Sequence, residues 1–120
     1  MTPTKEQMEL AARAAGIKQV KWHDALYCMY VLRPKKPKHD WVEWTPLTSG
    51  DDSQRLQVKL GMTASVGATT VDACCWTDRE ELTRTINKAL LFDPAIPDDD
   101  LRAMREAIFL VAVEIGRAMK

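Results

Sequence analysis

The chain has no excess of charge, no long apolar run and no patterned cysteine set, and each absence removes a class of function. Its 17 Lys and Arg balance 17 Asp and Glu. No overall field therefore selects nucleic acid or an anionic membrane, and an electrostatic partner must be met by a local patch. No apolar stretch approaches the roughly 20 residues of a membrane span. The first residues are polar and lack a signal-peptide core, so no export is expected. The 3 cysteines have neither framework nor CxxC spacing, which fits free thiols in a reducing cytosol. A Ser-centred nucleophile elbow, a phosphate-binding loop and an HExxH stretch are also missing. There is no internal repeat and no low-complexity segment. No cofactor or metal is expected, and a non-enzymatic protein is the reading.

What is present is enough for one domain. A chain of 120 residues buries roughly two-thirds of its unfolded surface without a metal or disulfide staple. Thr4 and Gln7 have capping-box spacing, which starts a helix. Met8, Ala11, Ala12 and Ala15 share a face of it, and Gly16 ends it. Residues 26–32 are the best strand candidate in the Trp-, Tyr- and Val-rich stretch from Val20 to Leu32. Pro34 and Pro37 make 33–38 a loop. Trp41 to Trp44 then returns as the antiparallel partner of 26–32.

Ser49, Gly50 or Asp51 caps the next helix, Asp51 and Asp52 favour its positive end, and Gly61 closes it. Leu56 and Leu60 lie one turn apart and face the core. Met62–Val66 and Thr69–Trp76 read as two short strands around Gly67. Thr77 and Glu80 again have capping-box spacing, and Leu82, Ile86 and Leu90 fall on one helical face, which predicts a helix over 77–92.

The last helix follows Pro97 and the Asp98-Asp99-Asp100 run. Leu101, Met104, Ile108, Val111, Ile115 and Ala118 form a continuous apolar stripe. Phe109, Leu110 and Val113 lie off it. This second face must be covered by another helix or by a second copy of the chain, so these three residues are the candidate homodimer face. The fold class that follows is α+β: a small antiparallel sheet flanked by helices, with a long C-terminal packing helix.

Two blocks carry a resemblance. They are Trp44-x-Pro46-Leu47-x-x-x-Asp51-Asp52-x-x-Arg55-Leu56-x-Val58-Lys59-Leu60 and Ala107-Ile108-x-x-x-Ala112-x-Glu114-Ile115-Gly116-Arg117-Ala118-Met119. Together they resemble a family of small uncharacterised tailed-phage and prophage proteins, similar to the phage ABA-sandwich group, in which a small antiparallel sheet lies between helices. The resemblance covers roughly residues 41–66 and the final helix. It implies a phage origin, action in the host cytoplasm and the sandwich fold. It carries no catalytic residue over, because the motif positions are a turn, a cap and core leucines. The resemblance thus implies an accessory binding protein, for example an inhibitor of host defence or a modulator of host machinery.

Three sets of residues are candidates for a site. Arg33, Lys35, Lys36 and Lys38 form a cationic loop beside Tyr30 and Trp41. The loop 33–41 suits a phosphate backbone with bases stacked on the aromatics, or an acidic protein. The bland alternative is a hairpin tip guarded against edge aggregation. His23-Asp24 and His39-Asp40 would make a His–carboxylate site for a small enzyme only if they converged, yet they lie at opposite ends of strand 26–32. Cys74-Cys75 would bind a soft metal or form a vicinal disulfide only if both thiols faced one way. A strand points them apart. A protein partner is the leading expectation, with nucleic acid as the alternative and no membrane.

Overall fold

Thr4 starts the first helix in the computed structural model, which describes residues 2–33, 40–79 and 82–119. Its Oγ1 accepts the Gln7 N–H, and the Gln7 side chain accepts the Thr4 N–H, completing the capping box. This helix is α1 (Lys5–Ala14), with Met8, Ala11, Ala12 and Ala14 buried. Ala15 caps it and Gly16 takes the left-handed conformation.

Three strands follow: β1 (Val20–His23), β2 (Cys28–Arg33) and β3 (Asp40–Trp44), paired in the order β1-β2-β3 as sheet A. The expected hairpin of 26–32 with 41–44 is present as β2 and β3, with Val31 opposite Val42. The strand begins two residues later than the sequence suggested. Leu26 and Tyr27 belong instead to a turn in which Nδ1 of His23 accepts the Leu26 N–H and the Asp24 carbonyl accepts the Tyr27 N–H. Tyr27 sits at φ 50°, and its ring meets Trp22 edge-on at 4.9 Å. No Gly, Pro or Asn marks this turn in the sequence, so side-chain and ring contacts must hold it.

The Trp44–Leu47 segment is the fixed turn expected. The Thr45 carbonyl accepts the N–H groups of Thr48 and Ser49, and Pro46 is fully buried. Ser49 then caps α2 (Gly50–Leu60) by accepting the Asp52 N–H, and Gly61 closes it at φ 66°. Asp52 does more than complement the helix dipole. It is buried and its Oδ2 accepts the Thr45 N–H at 2.9 Å, tying the turn to the helix. Leu56 is buried and Leu60 half-buried.

The second sheet, sheet B, holds β4 (Thr63–Val66), β5 (Thr70–Arg79) and β6 (Leu82–Leu91), in that order and antiparallel. The expected helix over 77–92 is therefore not formed. Thr77 lies inside β5, Glu80 lies outside the described residues, and β5 and β6 pair continuously from Thr70 opposite Leu91 to Arg79 opposite Leu82. The misreading has a simple cause. Leu82, Ile86 and Leu90 are four residues apart, and that spacing returns to the same face in a strand as well as in a helix. Because β4 pairs only with 71–74, the rest of β5 and β6 extends past it as a two-stranded ribbon.

The last helix, α3 (Asp99–Ala118), packs on β4, β5 and β6, with α1 and α2 against its other sides. Ile108, Val111 and Ile115 of the apolar stripe are buried, while its first member, Leu101, is exposed. Phe109 and Val113 are buried inside the chain, so the expected homodimer face is reduced to the half-buried Leu110. α1 packs on α3 and approaches it closely at Gly116. A Cβ built on Gly116 would overlap the Leu10 carbonyl oxygen and lie 2.6 Å from its carbonyl carbon. One buried cluster draws on both sheets and all of these helices, giving the α+β class expected, with two small sheets in place of one. No helix of the described residues is long and apolar enough to cross a membrane.

Candidate partner-binding surface

Alternation along sheet A decides which residues meet solvent. Met29 and Val31 of β2 and Trp44 of β3 are buried on the inner face, with Val20, Trp22 and Val42 packed against the same core. The intervening residues stand on the outer face. There the register sets Lys21, Tyr30 and Glu43 in one row, and Leu32 beside Trp41 in the next. Tyr30 and Trp41, singled out from the sequence, therefore do share a surface. Trp41 is 37% exposed, and the Lys21 ammonium lies 4.1 Å from its ring centroid, a cation–π contact that occupies one side of the indole. The neighbouring Cys28 thiol, with desolvation, a hydrogen bond to Cys28 and the charge of Glu43 behind it, holds the Tyr30 phenol above its ordinary 10.0. At neutral pH Tyr30 is thus an uncharged hydroxyl that donates and accepts.

Lys21 is the residue that reading for a basic loop misses. Its signal was present in the alternating Val20-Lys21-Trp22-His23 pattern, in which Lys21 falls on the open face. Arg33 ends β2 opposite Asp40. Lys35, Lys36, Lys38 and His39 lie outside the described residues.

On the inner side of sheet A, between the end of α1, the strands β2 and β3, and α2, is a groove of about 290 Å³. Its floor is Ala15 and Ile17 after α1, Val31 and Leu32 of β2, Trp44 of β3 and Leu56 of α2; Arg55 and Lys59 of α2 stand at its rim. Val31 and Trp44 place the groove on the side of the sheet opposite the Tyr30 and Trp41 rings, so the two are separate surfaces. Arg55 and Lys59 are one helical turn apart, on the flank of the turn that carries Leu56 inward. Arg55 bonds the Asp51 carboxylate at 2.9 Å in an exposed pair, whereas Lys59 has no acidic partner among the described residues. Val58, 74% exposed, adjoins both cations along a shallower depression. Neither cation stood out in the sequence, because a charged flank is ordinary on any surface helix. Only the packing of α2 beside the end of α1 makes it the rim of a groove.

The remaining candidates are not brought together. His23 pairs with Cys28 at one end of β2 and Asp40 with Arg33 at the other, roughly 17 Å apart at about 3.4 Å per residue. His23 Nδ1 is already used in the turn, and Asp24 lies in that turn. Cys74 and Cys75 point to opposite faces of β5. Cys75 is buried, with its Sγ 3.2 Å from the Leu60 carbonyl, and Cys74 is half-exposed. Among the described residues no cluster of His, Cys, Asp and Glu has the geometry to hold a metal ion.

The chain matches no protein family, no curated protein and no solved structure.

Proposed function

We propose that this chain is a phage-encoded, non-enzymatic accessory protein that binds a host macromolecule, with a protein of host defence or host machinery as its target. The observation that carries the binding role is the apolar groove under Arg55 and Lys59. Such a groove offers an apolar anchor site with a cationic border, the usual anatomy of a protein interface. The phage origin rests on the resemblance in residues 41–66 and the final helix. Trp44, Pro46, Leu56 and Gly116 all serve packing or a turn in this fold, which supports reading those blocks as marks of a fold.

Protein is favoured over nucleic acid as the partner by the outer face itself. Lys21 covers one side of Trp41, and Glu43 stands beside Tyr30. Neither ring is the open, acid-free platform on which bases stack. The test is affinity capture from a bacterial host extract, with the wild type compared against a variant carrying Lys35→Glu, Lys36→Glu and Lys38→Glu. One specific protein retained by the wild type and lost by the folded triple variant is the expected result. Retention of nucleic acid that falls steeply with salt would favour the nucleic-acid module instead. Full binding by the triple variant moves the surface away from the 33–41 segment, and no specific partner at all overturns the reading.

A further inference from the structure

We propose that the groove between the end of α1, sheet A and α2 receives an apolar side chain presented on an acidic peptide segment of the partner protein. This rests on the partner-binding reading above and states what the partner must carry. The floor, built around Ile17, Val31, Trp44 and Leu56, is hydrocarbon and indole, so an apolar group entering it leaves water favourably. Its volume of about 290 Å³ lies at the bottom of the roughly 300–1,000 Å³ range of small-molecule pockets. That is room for one or two side chains, not for a large cofactor.

The rim fixes the sign of what flanks the anchor. Lys59 has no carboxylate partner among the described residues, and Arg55 holds only the exposed Asp51. An exposed pair at i,i+4 is weak in water and exchanges readily for a ligand carboxylate. Two cations therefore face one acid at the lip. The chain that leaves β2 beside Leu32 continues as Pro34-Lys35-Lys36-Pro37-Lys38-His39, with three more lysines and no acid. That stretch of sequence has no acid with which to neutralise the rim. A basic peptide would be repelled, and a nucleic-acid backbone would leave the apolar floor unmatched. An acidic segment with an apolar anchor satisfies both parts, and the exposed Val58 next to Lys59 extends the contact.

The test is an NMR titration of the isotope-labelled whole chain with three capped peptides: Glu-Glu-Leu-Phe-Glu-Glu, its charge-reversed Lys-Lys-Leu-Phe-Lys-Lys, and Glu-Glu-Ala-Ala-Glu-Glu. The first alone should give saturable shifts at Ile17, Leu32, Leu56 and Lys59. Lys59→Glu should weaken it by about tenfold or more. Ala15→Phe, which fills the groove from its flank, should abolish binding while the melting temperature is kept. Absence of groove shifts at millimolar peptide overturns the proposal. So does equal binding of either control peptide, or binding indifferent to Ala15→Phe in a folded protein. The chain's own Glu80-Glu81-Leu82 is also acidic and apolar. Self-association abolished by Glu80→Lys with Glu81→Lys would assign the groove to a second copy and overturn the partner assignment. An Ala15→Phe variant that still captures its protein from host extract sinks this inference and leaves the proposed function standing. Peptide binding with no captured partner does the reverse.

Discussion

Gly116→Ala should destabilise this protein although it improves a helix. Alanine in a helix interior is favoured over glycine by about 1 kcal/mol, and on α3 considered alone the substitution would be a gain. In the fold, the added Cβ would overlap the Leu10 carbonyl oxygen and sit 2.6 Å from its carbonyl carbon. Ordinary carbon contacts lie at roughly 3.5–4.0 Å. The obstacle is backbone and cannot swing aside, so α1 must retreat by roughly 1 Å. Ala11, Ala12 and Ala112 are fully buried near this crossing, and a gap of that size costs their contacts a quarter to a half of their depth, on the order of the dispersion wells themselves. Overpacking of this kind costs about 1–3 kcal/mol, and more where backbone must shift. Taking about 3–4 kcal/mol of strain against about 1 kcal/mol of helix gain leaves a net loss of about 2–3 kcal/mol. With an unfolding entropy near 2.1 cal/mol/K per residue, 120 residues give about 4 °C per kcal/mol, hence a Tm about 10 °C lower. Urea unfolding followed by circular dichroism measures both terms. An unchanged m-value with a lower midpoint means α1 has shifted but stays docked; a smaller m-value means it has come away. A variant as stable as the wild type, or more so, would refute the close crossing.

Three other outcomes follow from side chains whose surroundings are equally specific. The Ser53 hydroxyl is buried without a hydrogen-bond partner, so Ser53→Ala should raise stability by about 0.5–2 kcal/mol; a loss in urea unfolding would mean the hydroxyl is satisfied. Asp99 accepts from Arg102 Nε and from the Asp93 N–H, and these hold its carboxyl below the ordinary 3.8, the Arg102 bond most strongly. A depressed carboxylate adds stability above its unfolded value and loses it as pH falls through the folded one. The deficit of Asp99→Asn at neutral pH should therefore shrink in acid below about pH 4, and a deficit independent of pH would contradict this. Thiol labelling of the folded protein should modify Cys28 and Cys74 well before the buried Cys75; equal rates for all would place Cys75 on the surface.

Parts of this architecture are legible because their causes are local. The capping box of Thr4 and Gln7, the Ser49 cap and the Gly61 stop are bonds or conformations within a few residues of one another. The hairpin of β2 and β3 follows from two aromatic and β-branched runs separated by prolines. The failure at 77–92 is equally instructive. Leu, Lys, Ala and Asn in β6 do not prefer strand, and the four-residue spacing of Leu82, Ile86 and Leu90 fits either period. The long ladder with β5 overrides the local signal.

The candidate surface divides in the same way. Sequence alone placed Tyr30 and Trp41 on neighbouring strands, separated Cys74 from Cys75 by strand parity, and kept His23 far from Asp40. Only the tertiary structure set Lys21 against Trp41, buried Phe109 and Val113 inside the chain, and turned Arg55 and Lys59 into the rim of a groove. Caps, stops and alternation act over one to four residues, so they are written in the order of the chain. A groove or a helix crossing joins residues as distant as Leu10 and Gly116, and whether they meet depends on the packing of every element between them.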